Sequence, residues 1–178
     1  MPTLGATGRL MKRIIWMIPS LIVAHNVEEA VSVLFIGSTF MLPEPLQRLV
    51  GNITVPQFML ALSIVTFLSL SLYALYLMLP EKKIFLRLMF LMQSTMFINV
   101  FSHLGGVVIT NRYVPGLATA LLINLPFSVY FASGCIRQGL VSKRAIIAYL
   151  VGAVIVHSVG ILELMKIAGW LVHKVGSA

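Results

Sequence analysis

Ile14-Ile15-Trp16-Met17-Ile18-Pro19-Ser20-Leu21-Ile22-Val23-Ala24 runs straight into His25-Asn26-Val27-Glu28-Glu29, and the apolar pattern then resumes at Ala30-Val31-Ser32-Val33-Leu34-Phe35 and continues to Leu42. A run of this length is enough to cross a bilayer, which needs about 20 apolar residues. An imidazole and two carboxylates in its middle are costly in hydrocarbon, and ionisable groups at such a depth mark functional sites. The decision between a membrane span and a buried soluble helix falls to the rest of the chain.

The rest of the chain favours the membrane. It has 178 residues, of which 59% are hydrophobic and 10% charged, and its mean hydropathy is +0.99. Soluble domains carry about 25% charged residues, so a soluble core has too little polar surface to cover this much apolar side chain. The expected fold is all-α, a polytopic bundle of about five transmembrane helices in one domain over residues 1–178. A basic leader covers 1–13 and a short tail covers 166–178. The spans are expected from about Ile14 to Phe40, with Pro19 as a candidate kink, then about Pro56–Leu79, Ile84–Thr110, Leu117–Ile136 and Ala145–Leu164. The leader and the first apolar stretch imitate a signal peptide, but no small-x-small cleavage site follows.

The formal net charge of +8 is carried at the ends of these runs. Arg9, Lys12, Arg13, Lys82, Lys83, Arg87, Arg137, Lys143 and Arg144 fall on one side, against Arg48, Arg112, Lys166 and Lys174 on the other. That asymmetry places the N-terminus in the cytoplasm and the chain in the cytoplasmic membrane. It leaves no basic–aromatic interleaving for nucleic acid. Cys135 is the single cysteine and has no partner for an internal disulfide. Asp is absent from the chain, so a serine triad is unsupported. The ten methionines are scattered and read as gap-filling residues.

The polar residues inside the spans share a depth. On a helix rising about 1.5 Å per residue, His25 lies roughly 18 Å above Arg13 and Glu29 roughly 24 Å. Asn99 and His103 lie roughly 18 and 24 Å above Arg87, His157 roughly 20 Å above Arg144, and Asn124 roughly 20 Å above Arg137. Glu29 and Glu28 follow His25 at i+4 and i+3, and His103 follows Asn99 at i+4, so each set shares a helix face. No lysine or arginine lies in the middle of any expected span. Buried carboxylates without a cationic partner must take up protons or a metal ion.

The metal reading takes His25, Glu28, Glu29, His103 and His157 as ligands of one divalent transition metal, with Asn99 and Asn124 behind them. Imidazole plus carboxylate suits zinc first, then iron or manganese. One of Glu28 and Glu29 would bind the ion and the other would act as general base or acid. The function this implies is a metal-dependent membrane enzyme acting on a lipid or other apolar small molecule. Two other readings stand beside it: a proton- or metal-coupled transporter, and a metal-free acid–base isomerase of a lipid. A structural alternative treats the same groups as neutral hydrogen-bonded ties between helices. Expected partners are the bilayer and an apolar substrate, with a homo-oligomer left open.

The pattern resembles the small bacterial and archaeal membrane proteins named for their HXXEE motif. His25, Glu28 and Glu29 carry the motif, and Asn99-x3-His103, Tyr113-Val114-Pro115-Gly116, Leu117-Ala118-Thr119-Ala120 and Asn124-Leu125-Pro126 add to the likeness. His157 matches a histidine late in that family. The resemblance covers nearly the whole chain and supports the choice of site residues. The family's biochemical role is unassigned, so it implies no reaction.

Overall fold

A computed structural model describes residues 14–35, 48 and 51–176. Among the described residues there is no strand, and five helices are long and apolar enough to cross a membrane. They are α1 (Met17–Phe35), α2 (Val55–Met78), α3 (Lys83–Thr110), α4 (Leu117–Arg137) and α5 (Lys143–Gly176). The expected leader and the part of the first span beyond Phe35 lie outside the described residues.

Local sequence explains where the helices begin and end. Pro19 falls in the first turn of α1, where its missing N–H has no intrahelical partner to lose. Thr54 caps α2 and Gln57 caps back in a reciprocal box. Ser142 accepts from the Ala145 N–H at the start of α5. Asn111 ends α3 in the left-handed conformation, with φ of 50°. With no water to serve them, hydroxyls along the helices bond to their own backbone: Ser63 to Met59, Ser94 to Phe90, Thr95 to Leu91 and Ser158 to Val154.

Helix α3 is central and packs against each of the other four. Its first half joins α1 and α4 in an apolar core of Ile15, Ile18, Ile22, Met89, Phe90, Met96, Phe127, Phe131 and Cys135. Gly152 of α5 brings that helix close to Leu91 of α3. Gly106 leaves room for Val114, so the loop after α3 folds back on the helix.

Two features were not expected. Helices α4 and α5 each contain a π-helical turn, at Ala120–Asn124 and Val156–Gly160. Helix α5 also carries on through the residues set apart as a tail. Its second half packs Met165 and Ala168 on Phe58 and Ala61 of α2, and Gln57 donates to the Met165 carbonyl at 2.8 Å. At 34 residues it rises about 51 Å, well beyond the ~30 Å hydrocarbon core. Glu163 pairs with Lys166 at 2.7 Å, as the i,i+3 spacing suggests.

Candidate metal centre

The site lies where α1, α3 and the first turn of α4 meet. Helix α1 presents His25 and Glu29 one turn apart, and α3 presents Asn99 and His103 one turn apart. His25 Nε2 and His103 Nε2 are 3.2 Å apart, and Glu29 Oε1 lies 3.6 Å from the first and 3.5 Å from the second. Only 2% of His25, 9% of Glu29 and 6% of His103 is exposed, so this triangle is closed to bulk solvent. Among the described residues it is the group of histidine and acidic side chains arranged to hold an ion.

The outer nitrogens decide what the inner ones can do. Thr119 Oγ1 lies 2.7 Å from His25 Nδ1 and spends its own hydrogen on the Gly116 carbonyl at 3.2 Å, so it accepts from the imidazole. His103 Nε2 is directed at His25, Asn99 and Glu29. The His25 ring is therefore held as its Nδ1–H tautomer, and the Nε2 atoms of both rings are aimed at one point. Fixing the far ring nitrogen in this way is how proteins orient histidine ligands. Two imidazole nitrogens and a carboxyl oxygen face one another. The Asn99 amide lies beside them, its Nδ2 2.8 Å from His25 Nε2 and 3.0 Å from His103 Nε2. Asn99 is less buried than the three residues of the triangle.

Gly116 closes the site. It caps α4 with φ of 87°, a conformation that favours glycine. A Cβ placed there would meet His25 Cε1 at 2.7 Å, Glu29 Cγ at 2.8 Å and His103 Cε1 at 2.8 Å. The backbone thus sits directly on all three side chains. A glycine at this cap has no side chain to offer the free N–H groups of α4, and Glu28 supplies the acceptor from α1. Its Oε1 accepts from the Tyr113 hydroxyl and from Ala118 N at 3.1 Å, and its Oε2 accepts from Thr119 N at 2.7 Å. A carboxylate on a helix N-terminus is stabilised by the unpaired N–H groups and the helix dipole. Burial, and then the Glu28 carboxylate, hold the Tyr113 phenol above its usual range, so it remains the donor in that contact.

The structure therefore brings together His25, Glu29 and His103, with Asn99 against both rings. It places Glu28 beside them in a different role, saturated by three donors. His157 is not one of the converging groups: its Nε2 is 2.6 Å from Ser102 Oγ. It stands in the π-helical turn of α5. Asn124 is buried one turn below Thr119, in the π-helical turn of α4, and its amide makes no hydrogen bond among the described residues. Gly116, Thr119 and Tyr113 were not singled out as site groups from sequence. Tyr113–Gly116 was read as a turn starting the fourth span, and the alternation of spans places that turn at the same end as Glu29 and His103.

Comparison with known proteins places the chain in a family. The chain belongs to the HXXEE family: residues 16–131 match the family described as a protein of unknown function with HXXEE motif. The match takes in His25, Glu28, Glu29, Asn99, His103, Gly116 and Thr119, and stops short of His157. The chain is also 33% identical over 161 residues to the uncharacterized protein YrkK of Bacillus subtilis (strain 168), which covers 87% of this chain and 90% of the relative. No solved structure matches.

Proposed function

We propose that this HXXEE-family chain is a membrane protein that binds one divalent transition metal between His25 Nε2, His103 Nε2 and Glu29 Oε1. The observation that carries the reading is the convergence of two imidazole nitrogens and a carboxyl oxygen in one buried triangle. Bonds of about 2.0–2.1 Å at angles of roughly 100–120° set neighbouring ligand atoms about 3.1–3.6 Å apart. The three observed edges of 3.2, 3.5 and 3.6 Å fall in that range. Two nitrogens and an oxygen favour zinc, with iron or manganese next. Glu28, one residue from Glu29, adds the second negative charge needed to balance a divalent ion.

The further part of the proposal is that the protein is a metal-dependent membrane enzyme acting on a lipid or other apolar substrate, with its N-terminus in the cytoplasm. A divalent ion here would supply Lewis-acid polarisation of a substrate oxygen or activation of a water. The chain's own residues hold the site in readiness. Thr119 fixes the His25 tautomer, Glu28 and Tyr113 pin the start of α4, and Gly116 seals one side. The Asn99 side is left as the approach.

Metal analysis of the purified, chelator-washed and reloaded protein tests the reading. Wild type should retain close to one equivalent of zinc, and Glu29→Gln should retain little. A wild type without stoichiometric metal would overturn it and leave the metal-free tie between helices, in which the Asn99 N–H groups serve both rings.

A further inference from the structure

Asn99 sits against both metal-facing nitrogens, close enough for its side-chain amide to share an ion with them. Each of its two amide N–H bonds serves one imidazole, at 2.8 and 3.0 Å. Those contacts use the same Nε2 lone pairs that a metal would take. Once the lone pairs turn to an ion, the amide would be left with two unpaired N–H groups directed at a positive charge. Rotation of the side-chain amide by half a turn exchanges nitrogen and oxygen in place without moving the backbone. It also converts two repelled donors into a carbonyl oxygen able to bind the ion. The position suits a ligand atom: donors on bonds of about 2.0–2.1 Å at roughly 90° stand about 2.8–3.0 Å apart.

We infer that Asn99 is a fourth ligand, its amide turned so that Oδ1 faces the bound ion. The inference rests on the metal reading above and adds to it a residue outside the histidine and acidic side chains. The resulting set is two imidazole nitrogens, one carboxylate oxygen and one amide oxygen. It is harder than a three-histidine shell, which widens the range of metals toward manganese and iron(II). Asn99 is also the least enclosed of the four, so the ion is reached past a ligand that can swing.

The test uses Co(II) as the probe, added to chelator-washed protein in detergent micelles. Wild type, Asn99→Ala and Asn99→Asp are compared by titration and by isotope-edited infrared spectra of protein carrying ¹³C-labelled asparagine side chains. One side-chain carbonyl band should move down on Co(II) loading of wild type, and Asn99→Ala should lack that change and bind about tenfold more weakly. Asn99→Asp should bind at least as tightly as wild type, since a carboxylate has only oxygens to offer. Wild type that loads with Co(II) and shows no band movement overturns the fourth-ligand assignment alone. So does an Asn99→Asp that binds more weakly than wild type, the result expected if Asn99 served only as an N–H donor. Wild type that takes up no Co(II) overturns the metal reading and this inference with it.

Discussion

The interface between α1, α3 and α4 has two ends built on opposite principles. At one end Ile15, Ile18 and Ile22 pack against Met89, Phe90 and Phe131, with the Phe90 and Phe131 rings 5.4 Å apart and Phe127 stacked on Phe131 at 5.8 Å. At the other end the same three helices set His25, Glu29, His103 and Gly116 against one another. Apolar packing has no preferred direction, and in a bilayer it competes with lipid tails that are equally apolar. The polar end leaves no such freedom: the ring nitrogens meet partners from α1, α3 and the start of α4, and a shift of any helix by one residue would lose several at once. The comparison indicates that the apolar end holds the helices together and the polar end fixes their register and defines a site.

Substitutions at the two ends should therefore separate stability from metal binding. The largest effect is expected at Gly116, where both are at stake. Gly116→Ala adds left-handed strain and a Cβ at 2.7–2.8 Å from three site side chains. It should cost about 3 kcal/mol or more and abolish metal retention, as read by thermal unfolding in detergent and by metal content. A Gly116→Ala protein with wild-type metal content would break the distinction at its strongest point. Next, Glu29→Gln should weaken metal binding by about 100-fold or more, with little change in unfolding temperature when no metal is present.

Phe131→Ala acts from the other end. It should lower stability by about 2–3 kcal/mol through the cavity left behind and leave metal affinity within about twofold. A coupled loss of metal would show that the two ends are not independent. Thr119→Val removes the acceptor for His25 Nδ1 and nothing of comparable size. It should weaken metal binding by about tenfold at nearly unchanged stability, measured by the same titration. The smallest effect is expected from Tyr113→Phe, which takes one of three donors from Glu28 and should cost about 1 kcal/mol without changing metal stoichiometry.

Much of this contrast is readable from the amino-acid order, and the remainder is not for definite reasons. Hydropathy and turn residues place α2, α3 and α4 within a residue or two of their ends, because Pro80, Asn111 and the Arg137–Arg144 segment interrupt otherwise continuous apolar runs. The end of α5 is missed because Lys166, His173 and Lys174 suggest a solvated tail, whereas Met165 and Ala168 turn the other face of that helix onto α2. Equal depth along the helices singles out His25, Glu29, Asn99 and His103. Depth carries no information about azimuth, and that is where His157 departs: its π-helical turn directs it to Ser102. Glu28 and Glu29 are adjacent in sequence and about 100° apart around the helix, so one meets the imidazoles while the other meets the start of α4. Gly116 carries no chemical signal of its own, and its importance appears only when three side chains are seen to converge on its α-carbon.

X-ray absorption at the zinc edge of the reloaded, detergent-purified protein tests the central claim most directly. Two imidazole nitrogens and one or two further oxygen ligands at about 2.0–2.1 Å, with the imidazole signal lost in His25→Ala and His103→Ala and kept in His157→Ala, is the outcome this account requires. Zinc that does not bind, or that binds through Cys135 or with His157 as an obligatory ligand, would contradict it.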